Sequence, residues 1–166
     1  PEMTISSECR DCEPLIEGLR SELYQIIILP YRPEDKDLYI QKTETETLFF
    51  AVPSGHRFAG SNGIYMKEMD GENMLLYSDI GFWHSLPREK MPHSRFLVQT
   101  DRFAFEELMS SSILPCFVSD IALADNWNSA DRVLVPILDP EAKVTYHMVC
   151  LKKTLSKVRK LFLSVI

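Results

Sequence analysis

Two thiols three positions apart, Cys9 and Cys12, form the sharpest local chemical pattern in the chain. C-x-x-C where an extended run enters a helix is the arrangement of a thiol–disulfide pair, because a helix N-terminus favours the thiolate. Glu8, Asp11 and Glu13 surround it with negative charge that opposes ionisation, and no Trp-Cys-Gly-Pro run accompanies it. The other cysteines, Cys116 and Cys150, fall in apolar stretches without a second close pair, so the sequence does not assemble a four-ligand zinc site. His56, His84, His93 and His147 show neither H-x-x-x-H spacing nor a neighbouring nucleophile, and Ser54-Gly55-His56 is turn chemistry. With six glycines and no G-x-G-x-x-G or P-loop, a nucleotide cradle is hard to build. The expectation is therefore no enzyme activity, no metal and no cofactor. What remains is recognition: Arg10 and Arg102 could each hold a carboxylate bidentately. A redox role for Cys9 and Cys12 stays open as a rival.

Charge narrows the partners. The chain carries 24 acidic and 18 basic residues, a net charge of −6, which argues against binding a phosphate backbone. Five of the basic residues, Lys152, Lys153, Lys157, Arg159 and Lys160, gather near the C-terminus and read as the solvated face of a helix. At 45% hydrophobic and 25% charged the composition is that of an ordinary globular domain. No apolar run approaches the roughly 20 residues of a bilayer span, so no membrane association is expected.

The elements that must position these residues alternate between strand and helix. Met3 and Ile5 make a brief extended run, Asp11 can cap a helix carrying Leu15, Leu19 and Leu23 on one face, and residues 26–29 read as a parallel strand buried on both faces. Pro30 and Pro33 end it. Residues 38–42 and 47–52 read as two further strands, and a short helical piece follows at 66–70. Residues 74–77 are a strand, Ser78, Asp79 and Gly81 a turn, and Phe82 to about Glu89 a helix stopped by Pro92. Then come a strand at 95–99, a helix capped by Thr100 or Asp101 and running through Met109, a buried strand at 113–118, and a helix capped by Ser119 or Asp120 that reaches Trp127. Strands at 133–138 and 146–151 lead to a last helix with Leu155, Val158, Phe162 and Val165 on one face. Repeated strand–helix units predict a mostly parallel sheet.

In such sheets ligands collect at the carboxyl ends of the strands. That rule selects Arg10, Asp11 and Cys12 after the first strand, and Pro30 and Tyr31 after the second. It also selects Ser78, Gly81 and Phe82, then Thr100 and Arg102, then Val118 and Ser119. Helix starts at Cys12, Gly81 and Arg102 would favour an anion, so a small carboxylate is the expected ligand.

The order of these patterns resembles the effector-binding domain of LysR-type transcriptional regulators. The resemblance is carried by Pro1-Glu2-Met3-Thr4-Ile5 leading to the helix from Leu15 to Glu22, and by the strand at 24–29. It is carried further by Leu48-Phe49-Phe50-Ala51-Val52-Pro53-Ser54-Gly55-His56-Arg57-Phe58-Ala59, in which His56 and Ala59 match the family's His-Pro-Leu-Ala, and by the strand, strand and helix of 133–166. Tyr24 stands where the family usually has aspartate, and Ser111 and Ser112 where it has a glycine pair.

The resemblance implies an α/β fold of two Rossmann-like lobes joined by two crossover strands, of the type II periplasmic-binding-protein-like kind. One lobe would be 1–44 with 145–166 and the other 45–144, with the ligand cleft between them. It implies that the family's winged helix-turn-helix, linker helix and first strand–helix unit are absent before Pro1. DNA would then be bound only through that missing part, and this chain would be a cytoplasmic, self-associating sensor of a small-molecule effector. A free solute-binding protein of the same fold is the other alternative.

Overall fold

The computed structural model describes residues 6–78, 80–124 and 131–163; the predicted strand at Met3 and Ile5, the helix end at Trp127 and the apolar position Val165 lie outside them. The chain forms two compact units, Pro1–Thr45 with Thr145–Ile166, and Glu46–Val144.

In the first unit, helix α1 (Cys12–Arg20) packs beside strand β1 (Ile27–Leu29). Strand β7 (Lys143–Leu151) lies between β1 and the first half of strand β2 (Leu38–Pro53). Side chains alternate across this sheet. Leu19, Ile27, Leu29, Leu38 and Val149 form the core on the α1 side. Met148 and Cys150 face the other way, against Val158 and Phe162 of helix α5 (Leu155–Leu163). Gly18 is required where it stands: a Cβ there would lie 2.2 Å from the Tyr24 ring. Leu23, expected on the α1 stripe, falls beyond the helix end and is exposed.

Strand β1 departs from expectation. It pairs antiparallel with β7, Ile28 opposite Met148, and Ile28 is half exposed between buried neighbours. Ile28 thus stays half exposed although the residues beside it are buried, and the run of isoleucines does not signal burial on both faces. The two strands expected at 38–42 and 47–52 are one, β2, of 16 residues. Its polar middle remains extended because Thr43, Thr45 and Thr47 are β-branched. Their hydroxyls also find partners on the neighbouring strand: Thr43 Oγ1 donates to the Tyr146 carbonyl at 3.0 Å, and Thr45 Oγ1 meets Thr145 Oγ1 at 3.2 Å.

The second unit has the strand order β4–β3–β5–β2–β6, from β3 (Asn73–Tyr77), β4 (Arg95–Gln99), β5 (Cys116–Ser119), β6 (Arg132–Pro136) and the second half of β2. Strand β3 runs parallel to β4 and β5, while β2 is antiparallel to β5 and β6. The sheet is thus mixed rather than mostly parallel. Helix α3 (Arg102–Ser111) lays Phe105 and Met109 against Ala51, Leu75, Cys116 and Val118. The single helix expected from Phe82 to Glu89 is a 3-10 turn (Gly81–Trp83) followed by α2 (Leu86–Lys90), and Pro87, lacking an N–H, suits the first turn of the second piece. The strand expected at 113–118 begins only at Cys116. Pro115 lacks the donor a ladder needs, and Ile113 is 82% exposed.

Candidate functional site

A cavity of about 740 Å³ lies within the second unit. Its walls come from the carboxyl ends of β3 and β5, helix α3 after β4, helix α4 (Asp120–Ala124) and Glu46 and Leu48 of β2. Because β3, β4 and β5 run the same way, their ends fall on one edge, and that geometry concentrates the loops there. Four of the residues selected from sequence, Gly81, Arg102, Val118 and Ser119, line it. Gly81 has φ +62°, a left-handed conformation that glycine adopts without strain and that turns the chain from β3 into the 3-10 helix. Val118 and Ser119 are buried.

The rest of the lining escaped sequence reasoning. Tyr77, Trp83, Phe105 and Phe117 supply aromatic surface; Trp83 is only 3% exposed and its indole N–H donates to the Glu141 carbonyl at 2.7 Å. Tyr77 and Phe105 pack with ring centroids 5.5 Å apart, and Phe103 at the rim is 71% exposed. The acidic lining is Glu46, Glu106 and Glu107. Glu106 alone had a sequence signal, standing four residues after Arg102, and its carboxylate accepts from Arg102 Nε at 2.9 Å.

Several amides at the helix starts bond within their own turn. Asp101, rather than Thr100, caps α3, its Oδ1 accepting from the Ala104 amide at 2.8 Å. Ser119 Oγ accepts from the Ala122 amide at 3.2 Å, and Asp120 Oδ1 from the amides of Ile121 and Thr47, each at 3.0 Å. The far end of α3 is held by Arg132, whose guanidinium donates to the carbonyls of Met109, Ala51, Leu114 and Ser112 at 2.8 to 3.0 Å. Arginine's rigid fork suits such convergent acceptors. Beside it, burial pushes the Cys116 thiol up to about 12, against the opposing pull of Arg132.

Comparison with known proteins gives this arrangement a family. The family model for the LysR substrate binding domain matches residues 1–166. The chain belongs to that family. Among solved structures it is similar to full-length OxyR from Pseudomonas aeruginosa, at 13% identity and TM-score 0.64 over 90% of this chain and 50% of that one. It is similar to HinK, a LysR family transcriptional regulator from the same organism, at 17% identity and TM-score 0.61 over 95% and 57%. The CcmR regulatory domain of Synechocystis, solved in complex with 2-PG, aligns at 13% identity and TM-score 0.63 over 92% of this chain and 79% of that one. The chain thus spans about half the length of OxyR and HinK. Comparison with curated protein sequences finds no match. The fold is that of LysR substrate-binding domains, α/β of the periplasmic-binding-protein-like type.

The remaining sequence-selected residues lie elsewhere. Ser78 and Thr100 are exposed in the loops after β3 and β4, and Phe82 is half exposed beside Gly81; none of the three lines the cavity. Arg10, Asp11, Cys12, Pro30 and Tyr31 belong to the first unit, around the start of α1 and the end of β1. There Arg10 pairs with Glu8 at 3.1 Å, and the Tyr24 hydroxyl also donates to Glu8, so the hydrogen bond from Tyr24 and then that from Arg10 hold the Glu8 carboxyl below its ordinary range. Asp11 sits at the N-cap of α1 without a side-chain capping bond. Burial and then Asp11 push the Cys12 thiol up, which works against a reactive thiolate, and both Cys9 and Cys12 are free. Burial, then Cys12 and Glu13, raise the Tyr31 phenol. Both guanidinium groups expected to clamp a carboxylate, Arg10 and Arg102, are thus engaged by glutamates. Among the described residues no group of His, Cys, Asp and Glu could hold a metal ion, and no helix is long and apolar enough to cross a membrane.

Proposed function

We propose that this chain is the sensing part of a cytoplasmic transcription regulator, without enzyme activity of its own, and that the second-unit cavity takes its small-molecule effector. The two compact units would act as effector-domain lobes I and II, in a protein that self-associates and meets DNA only through a winged helix-turn-helix outside this chain. The observation that carries the reading is the cavity itself, at the carboxyl ends of parallel strands in a LysR substrate-binding domain. Its size falls within the range of small-molecule sites, about 300 to 1,000 Å³. Ligand binding would act on DNA affinity through its different affinity for two states of the regulator.

A thermal-shift screen of metabolites tests this. A compound at 100 times its Kd stabilises the native state by about 2.7 kcal/mol. Ser110 lines the cavity from an exposed position on α3, so Ser110→Trp obstructs the cavity without entering the core. The expected result is a stabilising compound whose effect Ser110→Trp removes. A screen without any stabilising compound, or one whose hits bind the variant unchanged, contradicts the reading. The variant Cys9→Ser with Cys12→Ser should respond as the parent does; loss of response there would instead favour redox sensing.

A further inference from the structure

We propose that the second-unit cavity takes a neutral carbonyl compound, an amide or ketone carried on an aromatic or branched apolar body; this rests on that cavity being the effector site. Two hydroxyls at the ends of neighbouring parallel strands carry the inference. Tyr77 ends β3 and lines the cavity with its ring against Phe105, and among the described residues its hydroxyl has no hydrogen-bond partner. Ser119 ends β5, lines the same cavity and is only 8% exposed. Its oxygen accepts from the Ala122 amide, and among the described residues its own O–H meets no acceptor. Hydroxyls withdrawn from bulk water are as a rule hydrogen-bonded, and each of these two keeps a hydrogen to donate. The ligand atom that matches them is an acceptor such as a carbonyl oxygen.

The charged groups decide against an ionic ligand. Arg102 Nε donates to Glu106 at 2.9 Å, and Arg102 and Glu46 each make a further interaction, so these side chains are already engaged. A carboxylate or ammonium brought here would exchange its hydration for groups that have partners, a cost that a neutral carbonyl avoids. The remaining carboxylate of the lining, Glu107, is exposed on α3, where one ion pair adds little affinity for a cation. Against an anion stands the field of the unit, since residues 46–144 hold 14 acidic and 8 basic residues. Apolar side chains complete the lining, Leu48, Ile80, Phe117 and Ile121 among them, with Phe103 at the rim. They stabilise an apolar body by removing it from water.

The test is a thermal-shift and calorimetric comparison of matched probes at physiological salt: 3-phenylpropionamide, its anionic analogue 3-phenylpropionate, its cationic analogue 3-phenylpropylamine and the hydrocarbon propylbenzene, each repeated in the 2-naphthyl series. The amide should raise the melting temperature more than the other three. Tyr77→Phe keeps the ring and removes the hydroxyl; it should weaken amide binding about two- to tenfold, the effect of one neutral hydrogen bond, and leave propylbenzene binding as it is. Ser110→Trp should abolish the binding of both. A carboxylate, amine or hydrocarbon that binds as tightly as the amide overturns the neutral carbonyl assignment while leaving the cavity as the effector site. Amide binding that Tyr77→Phe leaves unchanged, or that survives Ser110→Trp, also overturns the assignment. Failure of every probe overturns it as well, and if the metabolite screen fails too, the effector-site reading falls with it.

Discussion

The two units of this chain solve different problems with similar elements. The first carries equal numbers of acidic and basic residues, its described strands β1 and β7 run antiparallel, and its sheet is covered by α1 on one side and α5 on the other. Its pocket, about 430 Å³, is a polar surface lined by Arg32, Glu34, Asp35, Lys36 and Lys152 among others. The second unit is acidic, has three strands in parallel and holds a larger cavity with aromatic walls. The difference shows why strand direction matters for binding. Antiparallel neighbours send alternate ends to opposite edges, so their loops disperse, whereas parallel neighbours gather theirs at one edge.

The largest expected effects separate the two cores. Phe105→Ala in the second unit and Phe162→Ala in the first each remove a buried ring, at a cost of about 3–5 kcal/mol in urea denaturation. Ligand-induced stabilisation should disappear only in Phe105→Ala, because that ring also lines the cavity. Equal loss of ligand response in both would break the distinction between the units.

A smaller effect tests packing in the first unit alone. Gly18→Ala forces a methyl into the Tyr24 ring and should cost about 1–3 kcal/mol, more than alanine's helix-propensity gain of about 1 kcal/mol returns. Gly55→Ala in the second unit meets no atom within 4 Å and should stay within about 0.5 kcal/mol of the parent. Comparable stability of the two variants would contradict the packing described.

The smallest effect is acid sensitivity, distributed over both units. Hydrogen bonds from Tyr24, Lys153 and the Asp37 amide depress Glu8, Glu22 and Asp35 in the first unit, while His93 and Lys90 depress Asp70 and Glu141 in the second. Carboxyls lowered in the folded state add stability that is present above their unfolded values, 4.5 for Glu and 3.8 for Asp, and lost as pH falls through the lower folded values. Melting temperatures should therefore fall as the pH drops below about 4.5, and a rise on acidification would reverse the assigned sign.

Much of this architecture was legible from residue types. Strand β4 coincides with the apolar stretch at 95–99, and Asp101 and Ser119 are each one of the two cap candidates that their neighbourhoods offer, with side chains that can accept amide bonds. The strand-end rule reached Gly81, Arg102, Val118 and Ser119 for the same reason: a parallel strand delivers its next residues to the ligand edge. It could not reach Glu46, which lies inside a strand whose polar middle looked like a loop, nor Trp83, which enters from a 3-10 turn. Arg132 was equally hidden, since its role depends on carbonyls about 20 to 80 positions away in sequence. The antiparallel pairing of β1 was missed because apolar composition does not encode strand direction.

The most direct measurement is a heteronuclear NMR titration of the whole chain with a compound that stabilises it in the metabolite screen, with the Trp83 indole signal assigned through Trp83→Phe. The cavity reading predicts that the Trp83 indole and the amides of Gly81 and Ser119 shift in a saturable, common manner, while those of Cys12 and Tyr31 stay in place. Shifts confined to Cys12, Tyr31 and their neighbours in the first unit would contradict it.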